Sequence, residues 1–143
     1  MTEATTEATR PTRLPDWQTR LECLCADRMA APFVWGQQDC CLWAADAVQA
    51  LTGQDPAAHL RGQYDTAEGA ARLLRELGGV RAVATTALGP AVPVLRAAVG
   101  DVVLIHNAGR DLLGVCIGTA VLAPGPAGLG AVPLMSAQAA WKV

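Results

Sequence analysis

The residues best suited to chemistry lie in one short stretch, Trp35 to Asp46, with the sequence WGQQDCCLWAAD. Gly36 predicts a turn before Asp39, and the apolar run that follows is typical of a helix. Asp39 is a favourable N-cap, because its carboxylate can accept hydrogen bonds from the free N–H groups of the first turn. Cys40 then lies in that turn, where the helix dipole favours an anion and lowers the pKa of a thiol. The stretch therefore predicts a cysteine nucleophile at a helix start.

A cysteine nucleophile needs a general base within hydrogen-bond reach and a group that orients the base. His106 is the candidate base, at the end of a predicted strand. If residues 108–109 form the centre of a hairpin turn, His106 pairs with Asp111, which becomes the candidate orienting carboxylate. The alternative is an exposed hairpin histidine beside an exposed acid. Trp35 and Tyr64 are candidate substrate-binding residues near the thiol.

The other reactive side chains favour structural roles. Four cysteines are predicted as small core residues: Cys23, Cys25, Cys41 and Cys116. The chain has five cysteines and no C-x-x-C pair, so we expect no metal site, no cofactor and a reducing compartment during folding. His59 is expected at the surface, and Asp46 is expected to partner an arginine or a backbone group. Loop packing is the alternative role for Arg61 and Tyr64.

Composition excludes several classes of protein. The 143 residues suffice for one domain with a core, and 52% of them are hydrophobic. A net charge of −2 without a basic stripe argues against nucleic-acid binding. The longest apolar run, near Val102–Ile105, is far shorter than the roughly 20 residues of a membrane span. The polar N-terminus shows no signal peptide.

The coarse pattern places helices before strands, which is typical of an α+β fold. Residues 1–15 are predicted as a flexible arm, and residues 16–143 as one domain. Residues 80–99 are expected to be irregular. Helices are predicted at about 16–30 (capped by Asp16), 40–51 and 67–77 (capped by Thr66), and strands at about 102–105, 112–117, 121–122, 128–134 and 139–143.

Three motifs together resemble the NlpC-type, papain-like cell-wall peptidases. They are Trp35-Gly-x-x-Asp39-Cys40, Gly100-Asp101-Val-Val-Leu and Leu113-Gly114-Val-Cys-Ile117-Gly118, and the resemblance spans about residues 16–122. The Arg61-Gly62-x-Tyr64 loop and the terminal Ala-Trp141-x-Val143 are similar to short NlpC-like proteins encoded among phage tail genes. The resemblance implies a papain-like fold, with about three helices packed on a small antiparallel sheet, and Cys40 at the nucleophile position.

The chain departs from the family pattern at the base. The alignment puts Leu112 at the family's histidine and residues 121–123 at the orienting polar residue, and these side chains cannot transfer or hold a proton. The hairpin register places His106 on the face opposite Leu112 and away from Cys40, unless a bulge at the glycine reverses it.

The resemblance implies a phage tail-tip or baseplate component, and the missing base favours a degenerate peptidase fold with a structural role. The resemblance implies that it is made in the host cytoplasm and carried in the virion. Its expected partners are other tail proteins (hub and distal tail), with peptidoglycan as a further candidate. The apolar segment 120–134 is more than a small monomer readily buries, which favours obligate partners. The alternative is an active cysteine peptidoglycan hydrolase with Cys40 as nucleophile and His106 as a relocated base.

Overall fold

Helices occupy the first half of the chain and strands the second half in the computed structural model, which describes residues 12–143. The helices are α1 (Trp17–Arg28), α2 (Cys40–Thr52), α3 (Ala67–Leu77) and α4 (Val80–Leu88). The strands are β1 (Val102–Asn107), β2 (Arg110–Cys116), β3 (Ala120–Gly125), β4 (Gly128–Pro133) and β5 (Ala137–Trp141). They form one antiparallel sheet in the order β4-β3-β2-β1-β5. The predicted α+β class is confirmed.

Helix α2 is the central helix, because apolar side chains surround most of it and eight of its 13 residues are buried. One side packs on the sheet, where Val48 contacts the group that contains Leu104 and Leu113. The other side packs on α1 through Leu21. The Trp43 indole N–H donates to the Leu122 carbonyl at 2.9 Å, which ties the helix to β3.

The opposite face of the sheet is also covered. Leu112 packs there, together with Val103 and Ile105. Residues 92–97 lie across this face, and Val92 forms a bridge with the outer edge of β5. The predicted excess of apolar surface in residues 120–134 is wrong in part, since the segment folds into the β3–β4 hairpin and packs its larger side chains within the chain.

The β1–β2 hairpin has the predicted register, in which His106 pairs with Asp111 and Ile105 with Leu112. The turn lies at residues 108–109, where Ala108 has φ 53° and Gly109 has φ 76°. No bulge interrupts β1 against β2. The side-chain alternation of both strands therefore continues unbroken to the turn.

Two of the three predicted helix caps are confirmed. Asp39 accepts from the Leu42 N–H, and Thr66 accepts from the Gly69 N–H. Asp16 forms no cap bond, because its carboxylate instead accepts from the Arg20 side chain at 2.8 Å.

The prediction of about three helices was wrong by one helix. Residues 80–88 form α4 instead of an irregular segment. Gly79 precedes α4 without any side-chain cap, and β-branched residues lower its intrinsic helix propensity. Tertiary packing compensates, since Val80 and Ala84 are buried against the group around Val102.

The predicted arm 1–15 lies mostly outside the described residues, but its last part is packed. The Leu14 N–H donates to the Leu51 carbonyl at 2.7 Å. Arg13 forms an ion pair with the fully buried Asp101 at 3.2 Å, and Lys142 pairs with the same carboxylate at 2.6 Å. The Gly-Asp step before β1 thus joins both ends of the described chain to the core.

The four helices α1 to α4 are each too short or too polar to cross a membrane.

Candidate functional site

The N-terminus of α2 is held by the buried carboxylate of Asp39. One oxygen accepts from the Leu42 N–H at 3.0 Å. The other accepts from the Gly36 N–H at 2.9 Å and from the Tyr64 hydroxyl at 2.7 Å. Gly36 has φ 81°, and a Cβ there would lie 2.5 Å from the Tyr64 carbonyl oxygen. The turn, the helix start and the Tyr64 loop are therefore fastened at one point.

A chain of ion pairs fastens the same loop to the body of the protein. The Arg61 guanidinium contacts Asp46 at 2.6 Å and Asp55 at 2.7 Å. Arg28 contacts the other oxygen of Asp46 at 2.7 Å and also donates to the Gln38 side chain. Asp46 is thus a structural partner of two arginines, as predicted. Arg61 packs the loop, which places Tyr64 beside the helix start.

Cys40 is the first residue of α2, and its surroundings favour the thiolate. A hydrogen bond from the Cys41 thiol lowers the pKa of Cys40, and burial opposes this. The Leu113 N–H and the Arg110 guanidinium lower the pKa of Cys40 further, whereas the negative charge of Asp39 raises it. The net effect is a lowered pKa. The pKa of Cys41 is raised well above its usual value by its bond to Cys40 and by burial. Cys41 therefore stays a neutral thiol that donates to its neighbour.

Cys40 lies at the wall of a cavity of about 680 Å³, here called the outer cavity. Trp35 and Tyr64 line it, so the structure brings both predicted substrate-binding residues together with the thiol. Arg110 also lines the cavity and lies 5.6 Å above the Trp35 ring. The remaining wall is formed largely by the apolar side of α3.

The candidate base and its partner lie at the edge of this site. His106 Nδ1 is 2.9 Å from the Asp111 carboxylate. The carboxylate can only accept, so the pair places a proton on Nδ1 and leaves Nε2 free. The two side chains are 48% and 42% exposed. Asp111 lines the outer cavity, whereas His106 is not among its lining residues.

The packing corrects the expected position of Leu112 relative to Cys40. The family alignment assumes that this residue faces the thiol, but its side chain packs with Val103 and Ile105 on the opposite face of the sheet, and the residue also forms part of the wall of the outer cavity. Leu113 instead packs on the α2 side, and its N–H reaches Cys40. By strand alternation, His106 and Asp111 lie on the same face as Leu113. His106 therefore lies on the face opposite Leu112, as predicted. That face carries α2, which corrects the expectation that it is turned away from Cys40, although His106 does not line the outer cavity.

A second cavity of about 270 Å³, here called the inner cavity, adjoins the first. Cys41, Leu60 and Leu77 line both cavities. His59 lies at its wall and is exposed, as predicted. Within residues 12–143, no group of three or more potential metal ligands comes together.

The remaining cysteines follow the prediction in part. Cys116 is buried, Cys25 and Cys41 are partly buried, and all of the cysteines are free. Cys23 is exposed, which contradicts its predicted core position. The reason is that α1 packs through the side that carries Leu21, Leu24 and Cys25, and the helical period turns Cys23 away from that side.

Two contributors to the thiol site were missed from the sequence. The Leu113 N–H is a main-chain group, and its approach to Cys40 depends on how the sheet packs on α2. Arg110 lies in the hairpin just before the predicted partner Asp111. Its position beside the hairpin turn was the available signal, since the turn brings the whole hairpin tip to the start of α2.

Comparison with known proteins gives one match. The profile of a family described as a domain of unknown function, DUF6950, matches residues 12–143. The match includes all four helices and all five strands. No curated protein and no solved structure matches the chain.

Proposed function

We propose that this chain, which belongs to the DUF6950 family, is a phage tail-tip or baseplate component that binds other tail proteins and does not hydrolyse peptidoglycan. The viral placement rests on the resemblance of the motifs around Cys40, Asp101 and Gly114 to short NlpC-like tail proteins. A central helix that starts at a cysteine and packs on an antiparallel sheet is compatible with a papain-like fold.

One observation carries the proposal that hydrolysis is lost: no imidazole lines the outer cavity at Cys40. The donors around the sulfur, the Cys41 thiol and the Leu113 N–H, stabilise a thiolate. Peptide hydrolysis also requires that a group takes up a proton and delivers it to the leaving amine. The donors around Cys40 do not supply a group that takes up this proton and delivers it to the leaving amine.

A binding role has support at the surface. Leu95 and Met135 are 83% and 73% exposed, although both are large apolar side chains. Each lies in a short 3-10 turn that flanks the far face of the sheet. Such residues fit the centre of an interface with another tail protein.

The direct test is peptidoglycan turnover by the full chain. We expect no release of free amine groups from purified sacculi by the wild type, Cys40→Ala or His106→Ala, with Cys23→Ala as a control at an exposed, remote cysteine. Turnover that both Cys40→Ala and His106→Ala abolish would refute the proposal. The viral placement is tested by mass spectrometry of purified phage particles from the source cells, where the chain should be present. Its absence from particles would overturn that placement.

A second candidate is an active thiol hydrolase with Cys40 as nucleophile, His106 as base and Asp111 as orienting carboxylate. The lowered pKa of Cys40 and the 2.9 Å bond to His106 Nδ1 favour it. The bond leaves Nε2 as the free acceptor, which is the arrangement that a general base requires. This candidate predicts turnover that falls with His106→Ala and, less strongly, with Asp111→Asn.

A further inference from the structure

The inner and outer cavities adjoin each other. They share three lining residues, Cys41, Leu60 and Leu77, so a ligand that occupied both cavities would have to pass these side chains. The pKa of Cys41 is raised well above its usual value, which keeps the thiol at this junction neutral. The junction is therefore apolar.

The inner cavity has the lining of an apolar ligand site. No Asp, Glu, Lys or Arg side chain lines it, and most of its wall is Ala, Val and Leu from α2, α4 and the sheet. A methylene group occupies about as much space as a water molecule in the liquid, roughly 30 Å³. The 270 Å³ of the inner cavity thus accommodates about eight or nine methylene groups in a row. Water gains few hydrogen bonds in such a space, whereas an aliphatic chain fits it.

The outer cavity differs because it carries cations. Arg75 and Arg110 line it, and neither forms a salt bridge with any residue in the described range 12–143. The acidic groups at this wall are Asp111, which is engaged with His106, and Cys40, whose thiol has donors of its own. Two guanidinium groups without a carboxylate partner in that range, one of them stacked over Trp35, favour the binding of an anionic group in the outer cavity.

We propose that the two cavities bind a medium-chain carboxylate, with its aliphatic chain in the inner cavity and its anionic head at Arg75 and Arg110. The aliphatic chain of the ligand passes the neutral Cys41 thiol at the junction. The inference requires neither hydrolysis nor a phage origin, so it stands independently of the proposed function.

The test is isothermal titration of the full chain with octanoate, 1-octanol and butyrate. We expect one octanoate per chain and at least about a hundredfold weaker binding of butyrate, because four methylene groups are lost. The double variant Arg75→Gln/Arg110→Gln should bind octanoate about tenfold more weakly or worse, and 1-octanol within about twofold of the wild type. Arg72→Gln is the matched control, since Arg72 is exposed on the same helix and does not line either cavity.

Filling the inner cavity with a larger side chain tests whether the aliphatic chain of the ligand lies there. Ala87 lines that cavity and is exposed, so Ala87→Phe should weaken octanoate and 1-octanol alike while the protein still unfolds cooperatively. A measurement without any variant checks the same point: the terminal methyl of octanoate should show NOEs to the methyl groups of Val83 and Ala84 in the wild type. Octanoate binding without saturation, absent NOEs, or equal losses in Arg72→Gln and the double variant would each overturn the proposal.

Discussion

The hydroxyl of Tyr64 is the contact that joins the loop to the start of α2, and Tyr64→Phe removes that group alone. The phenol donates to the Asp39 carboxylate at 2.7 Å, in a side chain that is partly buried. Asp39 keeps its bonds to the Gly36 and Leu42 N–H groups, so the variant leaves a carboxylate that is still partly satisfied. The substitution therefore reports on one charge-assisted hydrogen bond.

The expected cost follows from that geometry. A hydrogen bond to a charged group contributes about 1.5–3 kcal/mol, and the partial exposure of Tyr64 and the remaining donors place this bond at the low end. We expect Tyr64→Phe to lower the free energy of unfolding by about 1.5 kcal/mol. For a chain of this length, that loss corresponds to a fall in Tm of about 5 °C.

Urea unfolding followed by tryptophan fluorescence measures the effect in four proteins: wild type, Tyr64→Phe, Asp39→Asn and the double variant. The double-mutant cycle isolates the coupling between hydroxyl and carboxylate, expected at about 1 kcal/mol. The same proteins should differ in the reactivity of Cys40. Loss of the hydroxyl leaves the charge of Asp39 less neutralised, and that charge raises the pKa of the thiol. Alkylation by iodoacetamide at neutral pH should therefore slow in Tyr64→Phe.

A coupling below about 0.3 kcal/mol, which lies within the additivity of independent sites, would refute the claim that the bond fastens the loop. Unchanged alkylation together with a large coupling would separate the two effects. In that case the bond would stabilise the fold without tuning the thiol.

Three further results are expected. Asp101→Asn should cost about 3 kcal/mol in urea unfolding, because it removes the fully buried carboxylate that pairs with Arg13 and Lys142. Asp27→Asn, at an exposed carboxylate, should cost under about 0.5 kcal/mol, and equal costs would contradict the role of the buried carboxylate. Cys41→Ala should move the pH midpoint of Cys40 alkylation upward, because the thiol that lowers the pKa of Cys40 is gone. Cys41→Ser should reverse much of that upward move. A midpoint that stays the same in Cys41→Ala would exclude the Cys41 hydrogen bond as the cause of the lowered pKa. Gly128→Ala should lower the free energy of unfolding by more than about 2 kcal/mol, since φ is 131° and a Cβ would collide with the main chain of Met29. A free energy of unfolding equal to that of the wild type would show that the strand can shift.

Local features of the fold could be predicted from the sequence because neighbouring residues determine them. Asp39 and Thr66 cap their helices through bonds that span only three residues. The hairpin at residues 108–109 follows from a tight turn between two apolar runs. The pairing of His106 with Asp111 follows from that turn by counting residues.

Contacts between distant segments could not be predicted in the same way. β5 pairs with β1 across more than 30 residues, and no local pattern specifies that neighbour. Helix α4 depends on the packing of Val80 and Ala84 more than on helix propensity. The same limit explains the error at Leu112: the sequence shows that alternate residues share a face, but the packing of α2 decides which face meets the thiol. For the same reason the sequence does not show that the main-chain N–H beside Cys40 belongs to Leu113.

The ion pairs of Asp101 with Arg13 and Lys142 also determine where the two ends of the described chain emerge. The Arg13 guanidinium donates to the Val143 carbonyl at 2.7 Å, so the entry and the exit of the domain lie within one side-chain length of each other. Domains with adjacent ends tolerate insertion into a loop of another protein and circular permutation. A short linker from residue 143 to residue 12, with new ends opened in an exposed turn such as that at residues 108–109, should leave the sheet order intact. Topologically, the domain can be attached at a single point while its cavities and the far face of its sheet stay accessible.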